Sequence, residues 1–158
     1  MSYLLEDFID VKIPNDCKLC IFDLDDTLKF KYTGTYSRDA KAILQYMKYN
    51  NIQMAVASLN IYAKKILLND ETLFFFKDIQ NRTFDNEKDF DKIKMFTRIC
   101  KKLKISYENA ILFDDNFIHC IEASCVNMNY IEVDGNKGIT WKDIKKGMNK
   151  FVIRRKSI

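Results

Sequence analysis

Two aspartates separated by one residue follow directly after a short apolar segment near the start of the chain. Asp23 and Asp25 belong to the sequence DLDDT at residues 23–27, which comes after the apolar run at residues 18–22. If that run is a buried strand, both carboxylates leave its end together and face one crevice. One can attack phosphorus as a nucleophile, while the other protonates the leaving oxygen and then activates water. The alternative is an acidic turn that only ends the strand, which DxD alone favours.

A hydroxyl follows a second apolar segment. Ser58, Leu59 and Asn60 come after the apolar run at residues 53–57. A hydroxyl and free backbone N–H groups at a strand end suit a phosphoryl oxygen. The alternative is an N-cap for the helix that follows, and one residue can serve both purposes.

An adjacent acidic pair follows a third apolar segment. Asp114 and Asp115 come directly after residues 110–113. Adjacent carboxylates in that place suit Mg²⁺, a hard ion that takes one or two carboxylates together with phosphate oxygen. The alternative is an exposed turn in which Asn116 caps the next helix.

A lysine at the start of a helix would complete the set. Lys92 and Lys94 both stand near the beginning of the amphipathic stretch at residues 90–103. An ammonium group there would neutralise the charge of a nucleophile and a phosphoryl group. A solvated charged face is the alternative for either lysine.

Short apolar segments alternate with helical patterns along most of the chain. This alternation predicts an α/β fold, a Rossmann-like three-layer sandwich with a central, mainly parallel sheet and a ligand crevice at the carboxyl ends of the strands. The segment at residues 74–79 reads as a helix end plus a short edge strand. The predicted strands are 18–22, 53–57, 110–113 and 128–133, and the predicted helices are 39–49, 61–68, 90–103, 117–125 and 141–151.

Length and composition limit the class of protein. A chain of 158 residues, 47% hydrophobic and 30% charged, predicts one globular domain over residues 1–158 and argues against intrinsic disorder. The net charge of +4 is compatible with a phosphate-bearing partner without requiring nucleic acid. No apolar run reaches the roughly 18 residues of a membrane span. The acidic start lacks the features of a signal peptide, so we expect an intracellular protein, cytoplasmic or nuclear.

Cysteine usage points away from metal and redox chemistry. The five cysteines lie mostly in apolar stretches, and the CxxC at residues 17–20 has no second CxxC or histidine pair to complete a zinc site. We therefore expect free, buried thiols.

Taken together and in their order along the chain, the four motifs resemble those of the haloacid dehalogenase-like hydrolase superfamily. Its pattern is an apolar strand with DxDx[TV], a strand with Ser or Thr, a lysine, and a strand that ends in an acidic pair. The resemblance covers about residues 18–133. It is closest to the small magnesium-dependent phosphatase branch, through residues 18–28 and 92–115.

The resemblance implies roles for the acidic residues. Asp23 would be the nucleophile and a Mg²⁺ ligand. Asp25 would be the general acid and base, with its backbone carbonyl on the metal. Asp114 would bind Mg²⁺, and Asp115 would support the metal directly or through water. Thr27 would hold the geometry of the loop.

The resemblance also implies the groups that would hold the phosphate. Ser58 and Lys92 would bind the transferred phosphoryl group, with Leu24 and Asn60 as further phosphate-binding positions. Lys92 is preferred to Lys94, because its distance along the chain to the acidic pair fits the branch better.

Two connecting stretches are too short to form a lid. Residues 29–37 and 69–91 leave no room for a large cap domain, so we expect a capless member with an open site. The implied function is Mg²⁺-dependent hydrolysis of phosphomonoesters through an aspartyl-phosphate. The expected partner is a bulky phosphorylated substrate such as a phosphoprotein, although a small molecule also fits, and no membrane partner is expected. The alternatives are a phosphatase of nucleotides or nucleic-acid ends, which is less favoured, and a catalytically silent phosphate-binding or scaffolding module.

Four further features carry weaker expectations. Asp26 is an additional acid that we expect to be solvent-facing or structural. Residues 29–32 could form either a basic, aromatic rim over the crevice or an exposed hairpin. For His119 we expect packing or a helix-surface position rather than catalysis. The basic run at residues 145–156 is expected to be a solvated face rather than a nucleic-acid contact.

Overall fold

Five parallel strands form the central sheet of the protein. The computed structural model describes residues 11–86 and 91–156, and no side chain is described for residue 86 or for residues 154–156. The strand order in the sheet is β3-β2-β1-β4-β5, and all four strand pairs are parallel. The strands are β1 (Leu19–Phe22), β2 (Gln53–Ser58), β3 (Asp78–Asn81), β4 (Ala110–Asp114) and β5 (Asn129–Glu132).

Helices cover both faces of this sheet. They are α1 (Ala40–Tyr49), α2 (Ala63–Asn69), α3 (Ile93–Leu103), α4 (Phe117–Cys125) and α5 (Trp141–Lys156). Buried side chains of α1, α2 and α5 pack against one face of the sheet, and those of α3 and α4 pack against the other. The predicted three-layer α/β sandwich is therefore confirmed. No large separate cap domain is evident within the described ranges.

The alternation of side chains along each strand explains the two cores. On β1, Cys20 and Phe22 face the first layer of helices, whereas Leu19 and Ile21 face the second. Because both faces are covered, the three central strands β2, β1 and β4 are largely apolar, as expected for a parallel sheet. The rings of Phe22 and Phe113 stack across β1 and β4, with centroids 5.5 Å apart.

Most predicted elements are present, with changes at their ends. The helix predicted over 90–103 begins at Ile93, and residue 90 lies outside the described residues. The last helix continues past residue 151 to Lys156. Residues 74–79 divide into a 3-10 turn, Leu73–Phe75, and the edge strand β3. All five cysteines are free, and four of them are buried. No helix among the described residues is long and apolar enough to cross a membrane.

The register of the strands brings the polar motifs to one edge of the sheet. Phe22 pairs with Val56 on β2 and with Phe113 on β4. The backbone N–H of Asp23 donates to the Phe113 carbonyl at 2.9 Å, so the two strands stay paired to their last residues. Asp23, Ser58 and Asp114 therefore lie at the carboxyl ends of three adjacent strands, where ligands of such sheets bind.

Candidate active site

A buried lysine joins two of the predicted aspartates. The Lys92 ammonium donates to Asp23 Oδ1 at 3.0 Å and to Asp114 Oδ2 at 2.7 Å. The Lys92 side chain is only 1% exposed, and both carboxylates are buried. Lys94, in contrast, is exposed at the start of α3. Of the two lysines considered from the sequence, the structure therefore brings Lys92 to the aspartates.

The charges of this cluster alter one another's ionisation. Burial alone would lower the pKa of Lys92, but the charges of Asp23 and Asp114 outweigh it and raise the pKa. Burial and the charge of Asp23 raise the pKa of Asp114. Burial, a hydrogen bond with Asp23 and the Asp23 charge raise the pKa of Asp115 to about 8. The cluster thus holds more negative charge than one ammonium group can balance.

Three carboxylates of the cluster fit a divalent cation. Oxygen atoms of Asp23, Asp114 and Asp115 all lie within 4.8 Å of one another. Three carboxylates and one ammonium leave a formal charge of −2 when all are ionised, and oxygen-only ligands suit a hard ion such as Mg²⁺. Gly135 leaves room beside them, because a Cβ atom at that position would lie 3.0 Å from Asp115 Oδ2.

The loop after β2 holds Asp25, and β2 flanks β1 on the side opposite β4, the strand that carries Asp114. The Asn60 side-chain amide donates to Asp25 Oδ2 at 3.2 Å, and its oxygen accepts from the Tyr62 backbone N–H at 2.9 Å. Burial and the charge of Asp23 raise the pKa of Asp25, against the Asn60 hydrogen bond and the charge of Lys31. A carboxyl group with a raised pKa is suited to donate and recover a proton.

The other positions predicted for the site lie at the same edge of the sheet. They are Ser58, Leu24 and Thr27. The Ser58 hydroxyl is buried at the end of β2 and accepts from the Asn60 backbone N–H at 3.1 Å. The Leu24 side chain is fully buried, so only its backbone could contact a phosphate. Thr27 donates to Asp23 Oδ2 at 3.4 Å, and its carbonyl accepts from Ile139. Phosphate binding by Ser58, Leu24 and Asn60 stays a prediction.

The hairpin after Asp25 differs in part from the predicted basic rim. Lys29 is buried and forms an ion pair with Asp70 at 2.5 Å, and the Tyr36 hydroxyl donates to the same carboxylate at 3.0 Å. Lys29 therefore anchors the hairpin to the end of α2, because its aliphatic stem packs inside while its charge meets a partner. Lys31 and Tyr32 are exposed, in agreement with either interpretation.

Asp26 was expected to be either solvent-facing or structural, and it has a structural role in a turn. Its backbone has a positive φ of 61°, a conformation that aspartate tolerates better than most residues. Its carboxylate accepts from the Lys31 backbone N–H at 3.0 Å. Asp26 thus fixes the turn that leads from Asp23 and Asp25 into the hairpin.

Sequence reasoning missed Glu122, which holds the backbone of Lys92. One Glu122 carboxylate oxygen accepts from the Lys92 backbone N–H at 3.1 Å, and the other contacts His119 Nδ1 at 2.6 Å. Burial lowers the pKa of His119 to about 4, so its imidazole is neutral at pH 7 and packs beside the lysine loop. The signal was available as the spacing of three residues between His119 and Glu122 on α4, which puts both on one face.

Removing the Glu122 carboxylate should loosen Lys92 without touching the aspartates. For Glu122→Ala we expect a loss of about 1–3 kcal/mol in the free energy of unfolding, because a half-buried N–H and an imidazole lose their acceptor. If Lys92 takes part in turnover, kcat should fall roughly tenfold or more through misplacement of its ammonium. Urea denaturation and phosphate-release assays measure both. Glu108→Ala, an exposed control, should change neither; equal behaviour of the two variants would contradict the assignment.

The basic run at residues 145–156 lies only partly within the described side chains. Its backbone is helical to Lys156, but the side chains of residues 154–156 are not described. The prediction of a solvated face for this run stays a prediction.

Fold and site together define an α/β protein with an acidic, lysine-bridged crevice at the carboxyl edge of a parallel sheet. No protein-family model matches the sequence, and no curated protein matches it either. Solved structures do match. β-Phosphoglucomutase from Clostridium difficile is 13% identical, with a TM-score of 0.68 over 87% of this chain and 100% of that chain.

Two further solved structures that match are hydrolases named after the haloacid dehalogenase superfamily. A haloacid dehalogenase-like family hydrolase from Streptococcus pneumoniae is 15% identical, with a TM-score of 0.57 over 83% of this chain and 90% of that chain. A HAD-superfamily hydrolase from Ehrlichia chaffeensis is 14% identical, with a TM-score of 0.60 over 75% of this chain and 60% of that chain. The protein has the haloacid dehalogenase-like fold, as the sequence resemblance predicted. The closer resemblance to the magnesium-dependent phosphatase branch stays a prediction.

Proposed function

We propose that the protein is a Mg²⁺-dependent phosphomonoester hydrolase that works through an aspartyl-phosphate on Asp23. The observation that carries this proposal is the arrangement around Asp23: a buried ammonium bridges it to Asp114, and a second carboxyl group, Asp25, is held by Asn60 close enough for the charge of Asp23 to raise its pKa. Solved proteins of the same fold include named hydrolases and a phosphoglucomutase, which supports phosphoryl chemistry.

In the first step, an Asp23 carboxylate oxygen attacks phosphorus in line with the ester oxygen. The new oxygen–phosphorus bond forms as the ester bond breaks, and Asp25 gives its proton to the leaving oxygen. In the second step, Asp25 takes a proton from water, the water oxygen attacks phosphorus, and the bond to Asp23 breaks to release inorganic phosphate. Asp25 thus begins and ends the cycle protonated.

Electrostatic stabilisation would come from the groups next to Asp23. Lys92 balances charge on Asp23 and on the equatorial phosphoryl oxygens, while the Ser58 hydroxyl donates to one of them. Asp23, Asp114 and Asp115, with the Asp25 backbone carbonyl, would hold Mg²⁺. The bound ion would supply positive charge that lets an anionic nucleophile meet an anionic phosphate.

The open edge of the sheet favours substrates that an enclosed pocket would reject. Among the described residues, the connections at this edge are short: the hairpin around residues 28–37 and the loops after β2 and β3. A phosphate carried on a macromolecule could therefore reach Asp23, either on a protein side chain or on a nucleotide. We propose an intracellular phosphorylated substrate of this bulky kind.

Removal of the metal should stop the reaction. With p-nitrophenyl phosphate as substrate, we expect Mg²⁺-dependent phosphate release that falls at least about 100-fold in excess chelator, because the anionic nucleophile and phosphate would then repel each other. Mg²⁺ should also raise the unfolding temperature, since it binds only the folded acidic cluster.

The control is Asp115→Asn, which weakens the cation site and should reduce both effects. Mg²⁺-dependent stabilisation without turnover on any phosphoester would favour the silent phosphate-binding module. Turnover that is insensitive to chelator would contradict the metal assignment.

A further inference from the structure

Two exposed aromatic rings form a wall at the edge of the sheet that carries Asp23 and Asp25. Tyr62 is 52% exposed and Phe84 is 69% exposed, and their rings meet edge to face with centroids 6.3 Å apart. Tyr62 lies in the loop after β2, and Phe84 lies in the 3-10 turn after β3. Both connections leave the same carboxyl edge of the sheet that carries Asp23. Large aromatic faces left in water next to a reactive edge are typical of a binding surface.

Hydrogen bonds hold this wall at a fixed place relative to Asp25. The Tyr62 backbone donates to Asn60, whose amide in turn donates to Asp25. The loops after β2 and β3 are tied together, because Arg82 Nε donates to the Leu59 carbonyl and Asn81 donates to the Ile61 carbonyl. The backbone segments that carry the two rings are therefore held in place, which lowers the entropic cost of ordering them around a ligand.

In the proposed mechanism, the role of Asp25 determines where the leaving group of the substrate lies. Asp25 protonates the oxygen of the leaving group, so the body of the substrate must lie on the Asp25 side of Asp23. The loop that carries Tyr62 is bonded to Asp25 through Asn60, and Lys31 of the hairpin lies near enough for its charge to lower the pKa of Asp25. The leaving group thus meets flat apolar faces together with a cation.

Lysines accompany these aromatic residues. Lys31 stands next to Tyr32 in the hairpin, and Lys64 and Lys65 are exposed on the first turn of α2, directly after Tyr62. Alternating aromatic faces and cations match a ligand that has both flat rings and repeated negative charge. A phosphorylated aliphatic side chain of a protein offers no flat ring to such a wall, whereas a nucleotide offers both a base and phosphates.

We infer that the Tyr62–Phe84 wall and the hairpin around Lys31 bind the nucleoside of a terminal phosphomonoester, either a free nucleotide or the end of a single strand. The inference rests on the proposed function, since it takes the leaving-group side from the role of Asp25. The base would stack on the wall while Lys31 faces a neighbouring phosphate. Stacking is tolerant of base identity, so little sequence preference is expected.

Binding measurements test this surface without requiring turnover. The probes are a short fluorescein-labelled oligothymidylate with a 3′-phosphate, the same strand with a 5′-phosphate, thymidine monophosphates, and peptides with phosphoserine or phosphotyrosine. In an Asp23→Asn background with Mg²⁺, a phosphorylated thymidylate probe should bind more tightly than either peptide. Tyr62→Ala combined with Phe84→Ala should weaken that binding about tenfold. Strand affinity well above that of the monophosphates would identify the strand end as the source of the nucleotide.

A matched control separates this effect from general loss of an aromatic ring. Phe74 is 62% exposed but contacts Lys48 at the end of α1, away from the carboxyl edge, so Phe74→Ala should leave binding unchanged. In the active protein, the ratio of kcat/KM for thymidylate to that for glycerol 2-phosphate should fall about tenfold in the wall variant.

The inference and the proposed function fail in different ways. Tight binding of a phosphopeptide, or thymidylate binding that the wall variant leaves intact, would overturn the nucleoside inference alone. Absence of phosphate release from every ester would overturn the proposed function, and the binding measurements would still decide what the wall recognises.

Discussion

Replacing Asp23 with asparagine is expected to abolish phosphate release while leaving the fold intact. The amide keeps the shape of the side chain and can still contact Thr27, but it cannot attack phosphorus as a carboxylate does. Loss of a nucleophile that acts with an acid–base partner typically costs about 10⁴-fold or more in kcat. Phosphate release from p-nitrophenyl phosphate and circular dichroism of the same preparation measure the two quantities.

The control for this variant tests whether any remaining activity comes from deamidation. Asp23→Ala should be as inactive as Asp23→Asn, which excludes activity that arises from slow deamidation of the asparagine. Both variants also remove one of the two carboxylates that face Lys92, so a modest change in stability is expected in each. A variant without the carboxylate that keeps more than about one hundredth of the activity would exclude an aspartyl-phosphate on Asp23.

The sequence predicted the fold because local and long-range signals agree in this chain. Apolar runs of four to six residues that end in Asp or Ser predict buried parallel strands, and a parallel sheet must bring those ends to one edge. These ends are thereby predicted to bring Asp23, Ser58 and Asp114 together, and β1, β2 and β4 carry them there. The four motifs together predict one site, because the topology of a parallel sheet brings them to the same edge.

The sequence pattern does not predict contacts that depend on the direction of a side chain. Lys29 follows the DxD loop and reads as one more exposed cation, yet it is buried because Asp70, 41 residues away, supplies its partner. Glu122 lies in a helix with no catalytic motif and reaches Lys92 only because α4 packs beside the start of α3. The same holds for the wall of Tyr62 and Phe84, whose rings come from different loops.

Replacing Lys92 with methionine is expected to be the most destabilising single change in the site. The ammonium is 1% exposed and bridges two carboxylates, which would then face each other without a cation. Removing one partner from a buried ionic cluster typically costs about 3–5 kcal/mol in the free energy of unfolding. Turnover should be lost as well, because no other described side chain neutralises Asp23 and Asp114 by direct contact.

Lys94→Met is the matched control, because it makes the same substitution two residues away on an exposed position of α3. Surface changes of this kind stay within about 0.5 kcal/mol, so urea denaturation should separate the two variants clearly. Added Mg²⁺ should recover part of the stability lost in Lys92→Met, since a divalent cation can meet the same carboxylates. If Lys94→Met loses turnover while Lys92→Met retains it, the phosphate-neutralising lysine is Lys94, and the buried bridge of Lys92 serves the fold alone.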